Sequence, residues 1–206
     1  MNKRTTERIG VFGGSFDPVH TGHLTIAQDA VEQLRLDRLI FVPAAVPPHK
    51  QGKTLVDGHH RFEMLRLATE GVPKFEVSGM ELKRGGISYS FDTMMQVREE
   101  HPGARLFFIV GIDSLAEFHL WRNVESLLEL CTVVPFARGG EKPEQIAEQS
   151  RLPEEWKKRL FEQVVRTHEV EVSSSEIRRR IAAGLSIRTL VPPKVELYIA
   201  EHGLYG

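Results

Sequence analysis

The chain has 206 residues, of which 41% are hydrophobic and 27% are charged, and its formal net charge at pH 7 is −1. These values are ordinary for a globular protein, and the small net charge argues against an overall basic field for nucleic acid. The single cysteine, Cys131, excludes an intramolecular disulfide and a zinc site built from several cysteines.

The first residues and the apolar content of the sequence indicate its compartment. The first ten residues are polar and lack the apolar core of a signal peptide. No apolar stretch approaches the length that spans a bilayer. A lone cysteine suits a reducing compartment. We therefore expect a cytoplasmic protein with neither a membrane nor a nucleic acid as a partner.

Short apolar runs alternate with helical patterns along the chain. The predicted strands are residues 9–12, 38–43, 75–78, 106–110 and 132–136. The predicted helices are residues 23–36, 58–70, 90–101, a basic helix after Ser173–Ser175, and 193–201. Strands that alternate with helices predict an α/β fold, with a parallel sheet, helices on both faces and a helical C-terminal end. Residues 1–206 are expected to form one domain, with the polar segment 138–153 on its surface.

The run VFGGSFDPVHTGHLTIA, residues 11–27, joins the first predicted strand to the first predicted helix. Gly13 and Gly14 let backbone N–H groups face a ligand without a Cβ in the way. The N–H groups at the start of the helix attract an anion. His20 and His23 would point into one crevice above the strand ends, where open α/β sheets bind ligands. We interpret the run as a cradle for the phosphates of a nucleotide.

Two other interpretations of this run compete with that one. A glycine pair occurs in many turns, and histidines near a helix start are often incidental. Zinc needs three or four ligands, and no cysteine or acidic residue lies at a characteristic spacing from His20 and His23. We therefore predict no metal held by protein side chains.

A second run with phosphate-binding chemistry is VSSSEIRRRI, residues 172–181. Ser173, Ser174 and Ser175 offer caps and hydroxyl groups at a helix start, and Arg178 lies one turn beyond Ser174 on the same face. Hydroxyl groups, a helix N-terminus and an arginine together suit a polyphosphate. Considered alone, the run also fits a capped, solvated basic helix.

Two loops offer groups for a second substrate. VPPHK, residues 46–50, carries His49 and Lys50, whose positive groups would neutralise a phosphate unless the run is simply an exposed turn. GGISYS, residues 85–90, ends where a helix begins, so its N–H groups would receive a carboxylate.

The run VGIDSLAEFHLW, residues 110–121, follows the most apolar predicted strand. Gly111 and Asp113 would therefore lie at the carboxyl end of that strand. Asp113 would hydrogen-bond a ribose hydroxyl, and Trp121 would stack on an aromatic ring. Alternatively, Asp113 caps a helix and Trp121 belongs to the core.

The run GGSFDPVHTGH resembles the signature of the HxGH nucleotidyltransferase superfamily. VSSSEIR is similar to its C-terminal signature, with Val172 in place of isoleucine and Ser175 in place of threonine. The resemblance implies a Rossmann-like fold in which both histidines bind ATP phosphates. It also implies that Ser174, Ser175 and Arg178 contact the β- and γ-phosphates.

The motifs together resemble the bacterial nicotinate-nucleotide adenylyltransferase family over nearly the whole chain. They are GGSFDPVHTGHL, VPPHK, SYS, VGIDSL, the tryptophan, SSSEIR and the ending YIAEHGLYG, in that order. The resemblance implies transfer of AMP from ATP to nicotinate mononucleotide, which gives deamido-NAD and pyrophosphate in NAD biosynthesis. Mg²⁺ would be carried mainly by the ATP phosphates, and the protein would be a monomer or a homodimer. One departure is Arg122, where many members have an aromatic residue.

This interpretation assigns roles to a defined set of residues. His20, His23 and Arg178 are expected to be catalytic. The expected ATP-binding residues are Gly13, Gly14, Ser15, His20, His23, Gly111, Asp113, Ser174, Ser175 and Arg178. The expected acceptor-binding residues are Ser15, Phe16, His49, Lys50, Ser88, Tyr89, Ser90, Asp113 and Trp121.

The predicted reaction is a direct in-line attack of the acceptor phosphate on the α-phosphorus, without a covalent enzyme intermediate. One alternative keeps the fold and changes the acceptor to nicotinamide mononucleotide or another phosphate ester. Another is a noncatalytic nucleotide sensor, which would need fewer aligned groups. A nucleic-acid-binding role has the least support, since no basic aromatic surface is evident.

Overall fold

The computed structural model describes residues 6–48, 55–137, 143–162, 164–168 and 170–206. Within them, strands form at β1 Arg8–Gly14, β2 Arg38–Pro43, β3 Phe75–Val77, β4 Arg105–Gly111, β5 Thr132–Ala137 and β6 Val165–Arg166. These six strands make one sheet in the order β3-β2-β1-β4-β5-β6, and every neighbouring pair is parallel. This is the strand order of dinucleotide-binding Rossmann folds.

Helices connect and flank these strands. They are α1 Thr21–Gln33, α2 Gly58–Thr69, α3 Met80–Arg84, α4 Ser90–Glu100, a 3-10 helix Ile112–Leu120, α5 Val124–Leu130, α6 Pro143–Gln149, α7 Glu154–Phe161, α8 Ser174–Ala182 and α9 Pro193–Glu201. In the part of the chain that is described, none of them has both the length and the apolarity to cross a membrane.

The side chains of β4 show why helices cover both faces of the sheet. Leu106, Phe108 and Val110 are buried on one face, against residues of α4 and α5. Phe107 and Ile109 are buried on the other face, against α1, α2, α8 and α9. A strand buried on both faces has no polar alternation, so it appears in the sequence as an apolar run. The predicted α/β fold with a parallel sheet and a helical C-terminal end is therefore confirmed.

The differences from the prediction lie mainly in short elements. Helices α3, α5, α6 and α7 were not predicted, because helices of five to eight residues show too little periodicity. The 3-10 helix was not predicted either. The polar segment 138–153, predicted as a surface excursion, contains α6. Strand β6 has only two residues and was not predicted.

The first strand and the first helix are both longer than predicted, and each is extended at the end that faces the other. β1 continues to Gly14 rather than ending at Phe12, and α1 begins at Thr21 rather than at His23. The connection between them is therefore short, which brings the start of α1 close to the carboxyl end of β1.

Candidate active site

The carboxyl ends of β1 and β4 open into a cleft of about 920 Å³. Strand β1 lies between β2 and β4, so the strand order reverses at this point, which is where open α/β sheets bind ligands. Every predicted site residue within the described part of the chain lines the cleft. They are Gly13, Gly14, Ser15, Phe16, His20, His23, Ser88, Tyr89, Ser90, Gly111, Asp113, Trp121, Ser174, Ser175 and Arg178.

Two predicted acceptor-binding residues, His49 and Lys50, lie outside the described residues. Their neighbours Pro47 and Pro48 line the cleft.

The loop after β1 is held by the side chain of Phe16. Phe16 has a φ of 48°, in the left-handed region, and its ring folds back over Gly14. A Cβ on Gly14 would lie 3.0 Å from that ring, so a larger residue here would force the ring to shift. The ring is 2% exposed and packs 5.5 Å from Phe12 and 5.8 Å from Phe41, centroid to centroid. Phe16 also lines the cleft, and its contact with the acceptor stays a prediction.

His20 and His23 form a stacked pair at the start of α1. Their ring centroids are 3.7 Å apart, and His20 is the N-cap residue of the helix. The backbone N–H of His20 donates to Nδ1 of His23 at 3.2 Å. Because Nδ1 accepts, this bond assigns the proton of a neutral His23 ring to Nε2, where it can be donated to an anion. A Cβ at Gly22 would lie 3.2 Å from Nδ1 of His20, so glycine at this position leaves room for the pair.

The start of α8 is fastened to the loop after β1. Arg178 donates from Nη1 to the carbonyl of Asp17 at 2.7 Å and from Nη2 to Oγ of Ser175 at 3.2 Å. The hydroxyl of Ser174 donates to the carbonyl of Pro18 at 2.9 Å. These bonds join two parts of the chain that are more than 150 residues apart.

The bond from Ser174 changes its predicted role. A serine hydroxyl has one hydrogen, and here that hydrogen is donated within the protein. A phosphate contact of Ser174 would therefore come from its backbone N–H in the first turn of α8, where no intrahelical partner is available.

The opposite wall of the cleft is formed by residues 88–90, at the start of α4. The N–H of Ser88 donates to the carbonyl of Val46 at 2.9 Å, and Oγ of Ser88 accepts from the N–H of Ala45 at 2.9 Å. Ser88 thus joins this loop to the segment after β2 instead of offering its N–H to a ligand. Tyr89 and Ser90 are the residues whose N–H groups begin the helix.

Glu81, a residue that was not predicted, lines the cleft below this wall. Glu81 is 6% exposed, and its carboxylate accepts from Oγ1 of Thr93 at 2.5 Å. Burial raises the pKa of Glu81, while hydrogen bonds from Thr93 and Ser88 and the charges of Arg84 and Arg61 act against that rise. No local sequence pattern marks a carboxylate whose partners come from the next helix.

The third wall follows β4. Asp113 is exposed, and its Oδ1 accepts from the N–H of Ser114 at 3.0 Å. The N-cap of the 3-10 helix is Gly111, so the alternative of Asp113 as the cap is wrong. Trp121 packs 4.9 Å from Phe118, centroid to centroid, and also lines the cleft, so it serves both the core and the site.

Arg122 connects two walls at the mouth of the cleft. Its guanidinium carbon lies 4.7 Å from the ring centroid of Tyr89, and Nη1 lies 3.5 Å from Oδ2 of Asp92. The side chain is 53% exposed, so the ion pair is weak and the contact with the ring positions the arginine.

Arg61, on α2, is a buried residue that sequence reasoning missed. Its side chain is 2% exposed, and its Nη1 donates to the carbonyls of Ser15 at 2.9 Å and Ala44 at 2.7 Å. Nε donates to the carbonyl of Val56 at 2.8 Å. Burial lowers the pKa of Arg61, and the charge of Asp17 acts against this change. Arg61 therefore supports the loops after β1 and β2 from below.

Among the residues that the structure describes, no three His, Cys, Asp or Glu side chains are grouped so that they could hold a metal ion. A divalent cation in this cleft would take most of its ligands from bound phosphates and from water, which is the usual arrangement for Mg²⁺ with a nucleotide.

The chain is similar to known proteins over most of its length. The family model described as cytidylyltransferase-like matches residues 11–180. Two relatives are each named a probable nicotinate-nucleotide adenylyltransferase. The relative in Clostridium tetani is 40% identical, over 97% of this chain and 99% of its own. The relative in Thermus thermophilus is 46% identical, over 96% of this chain and 99% of its own.

A solved structure has the same fold at lower identity. It is the Plasmodium falciparum nicotinic acid mononucleotide adenylyltransferase complexed with NaAD, with a TM-score of 0.76, 20% identity and 97% of each chain covered.

Proposed function

The chain belongs to the cytidylyltransferase-like family and, within it, to the nicotinate-nucleotide adenylyltransferases, and on that premise we propose how it transfers AMP from ATP to nicotinate mononucleotide. The observation that carries the proposal is the meeting of His20, His23 and Arg178 at one cleft, although Arg178 is far from the histidines in sequence. These three side chains suit phosphate oxygens and lie near the starts of α1 and α8, so together they favour a polyphosphate substrate.

ATP binds along the side of the cleft formed by α1 and α8. The two histidines and the N–H groups near Ser15 contact the α- and β-phosphates, and Arg178 and Ser175 contact the β- and γ-phosphates. Gly111 and Asp113, at the end of β4, receive the ribose. In support, Asp113 is exposed and lines the cleft.

Nicotinate mononucleotide binds on the side of Trp121 and α4. Trp121 stacks on the pyridine ring, and the N–H groups of Tyr89 and Ser90 at the start of α4 receive the carboxylate. His49 and Lys50 approach the acceptor phosphate. This last role is proposed from the sequence alone, because both residues lie outside the described part of the chain.

The reaction is a direct displacement at the α-phosphorus. An oxygen of the acceptor phosphate forms a bond to that phosphorus, and the bond from it to the oxygen bridging the α- and β-phosphates breaks. The electron pair leaves on pyrophosphate. The attacking phosphate is already anionic, so no general base is required, and catalysis rests on positioning and on stabilisation of charge.

Two observations support a reaction without a covalent enzyme intermediate. Cys131, the single cysteine of the chain, is 6% exposed, and burial raises the pKa of its thiol to about 12. It therefore offers no thiolate to the cleft. The hydroxyl of Ser174 donates its hydrogen to the carbonyl of Pro18, which is not a base that could activate it.

Mg²⁺ enters as part of the ATP substrate. When bound, it neutralises charge on the phosphates. The side chains of this cleft fit that arrangement, because His20, His23 and Arg178 line it and suit phosphate oxygens rather than a cation. His23 and Arg178 would hold the phosphate oxygens that the cation does not bind.

The test is pyrophosphate release with ATP and Mg²⁺, with nicotinate mononucleotide and nicotinamide mononucleotide assayed side by side. We expect rapid release with the acid and slow release with the amide. Equal or reversed preference would overturn the acceptor while leaving adenylyl transfer in place. Absence of release with either acceptor, from a protein that binds ATP, would favour a nucleotide sensor.

A further inference from the structure

Asp17, in the loop after β1, is a buried carboxylate to which the catalytic proposal gives no role. It is 2% exposed. A carboxylate this deeply buried must be hydrogen-bonded or paired, since an isolated buried charge is very costly. The partners of Asp17 come from three separate parts of the chain.

The first partner of Asp17 comes from the C-terminal end. The hydroxyl of Tyr205 donates to Oδ1 of Asp17 at 2.8 Å, and the N–H of Val56 donates to the same oxygen at 3.3 Å. Burial and the neighbouring charge of Asp17 raise the pKa of Tyr205, so its hydroxyl keeps its proton and remains a donor.

The backbone of the C-terminal residues aims Tyr205 at this carboxylate. Residues 202–206 follow α9, and the N–H of Leu204 donates back to the carbonyl of Ile199 at 3.0 Å. Tyr205 has a φ of 67°, in the left-handed region that non-glycine residues rarely adopt. Its ring packs against the buried cluster that includes Phe16 and Val19. The hydrogen bond and this packing hold the residue in that conformation.

The third partner of Asp17, after Tyr205 and Val56, is Arg178. Nη1 of Arg178 donates to the carbonyl of Asp17 at 2.7 Å and lies 3.8 Å from its Oδ2. The same guanidinium lines the cleft. The carbonyl and the carboxylate of Asp17 thus both lie beside one nitrogen of Arg178 and limit the directions in which the rest of the guanidinium can face.

We propose that Tyr205 is a positioning residue of the ATP site: its hydroxyl orients Asp17, and Asp17 orients Arg178 toward the phosphates. Tyr205 is not among the described residues that line the cleft, so it acts through the other two. This proposal rests on the phosphate-binding role proposed for Arg178.

The test is the ATP affinity of Tyr205→Phe, measured by calorimetry without any acceptor. The substitution keeps the ring and removes one hydrogen bond, so we expect the Kd for ATP to rise about fivefold or more. In turnover assays the KM for ATP should rise, and the KM for the acceptor should stay within about twofold. Unchanged ATP affinity, or equal losses for both substrates, would overturn the proposal.

Tyr198→Phe is the matched control. Tyr198 is on the neighbouring helix α9, and its hydroxyl is 2.9 Å from Nδ1 of His60, away from the cleft. We expect this variant to bind ATP as the wild type does. A loss equal to that of Tyr205→Phe would identify a general effect of the C-terminal region and would overturn the specific role.

A double-mutant cycle tests the route through Arg178. In an Arg178→Ala background, Tyr205→Phe should cause no further loss of ATP affinity, because the residue it positions is absent. The same fold-loss in both backgrounds would mean that Tyr205 acts elsewhere. These affinities need no acceptor, so a wild-type protein that binds ATP but fails to adenylylate nicotinate mononucleotide would overturn the proposed function alone.

Discussion

Replacing His23 by asparagine and by glutamine separates the roles of its two ring nitrogens. An asparagine amide reaches about as far as Nδ1, and a glutamine amide reaches about as far as Nε2. In the structure, Nδ1 accepts from the N–H of His20, which leaves the proton of the neutral ring on Nε2. His23→Asn therefore keeps the internal acceptor and loses the donor to phosphate, whereas His23→Gln does the reverse.

The two losses differ in size. Removal of a donor that stabilises developing charge lowers turnover about 10²- to 10³-fold. The bond from His20 to Nδ1 is 3.2 Å long, and one such neutral bond contributes about 0.5–1.5 kcal/mol to the free energy of unfolding. In a protein of 206 residues this lowers Tm by about 1–6 °C. We expect His23→Asn to lose about 100-fold or more in kcat with little change in Tm. His23→Gln should lose only about tenfold, since its donor is less well aligned, with a lower Tm.

The assay is pyrophosphate release at saturating ATP and acceptor, paired with thermal unfolding of each variant. His202→Asn serves as the control, because this histidine is exposed and packs on Tyr198 away from the cleft. Near-normal turnover of His23→Asn would refute the assignment of Nε2 as a phosphate donor. A glutamine variant slower than the asparagine variant would refute the assignment of the proton.

Three further predictions address the acceptor wall, the loop support and the buried thiol. Trp121→Ala should raise the KM for the acceptor about tenfold and leave that for ATP unchanged, since stacking and packing are lost on one side only; an unchanged acceptor KM would exclude stacking. Arg61→Met should lower the free energy of unfolding by about 3 kcal/mol or more in denaturant titrations, because several buried carbonyls lose their donor. Arg66→Met, an exposed arginine on the same helix, is the control, and equal stability of the two variants would contradict the reasoning. Burial raises the pKa of Cys131 from 9.0 to about 12, so at pH 8 its alkylation in the folded protein should be about a thousandfold slower than in denaturant. Rapid labelling of the folded protein would show that the thiol is accessible.

The sheet could be predicted because the composition of a strand depends on whether one or both of its faces are buried. Residues 106–110 have no polar member, and a strand covered on both faces needs none. The cleft could be predicted for a related reason: in a parallel sheet, the residues that follow each strand meet at one edge. Hence Ser15, which follows β1, and Asp113, which lies just after β4, line one cleft although they come from different parts of the chain.

What could not be predicted depends on contacts between distant residues. Tyr205 and Asp17 are 188 positions apart, and Arg61 and Ser15 are 46 apart, so no local pattern records either bond. The sequence also identifies hydroxyl groups without saying which of them the protein itself uses. Ser174 was predicted as a hydroxyl donor to phosphate, and its hydrogen is instead donated to a carbonyl.

The hydrogen bonds of Arg61 also fix the distance between the loop after β1 and the segment after β2. A single nitrogen, Nη1, donates both to Ser15, in the loop proposed to hold the nucleotide, and to Ala44, in the segment that leads to the acceptor wall. The peptide group of Ala44 is held from both ends, since the N–H that follows its carbonyl donates to Ser88. One atom therefore acts as a spacer between the two proposed substrate sites. Displacement between two reactants requires their atoms to approach within about 3–3.5 Å, and an error of about 1 Å can cost about 100-fold in rate. The separation of the two proposed sites is thus set by an atom of Arg61, which is not among the described residues that line the cleft.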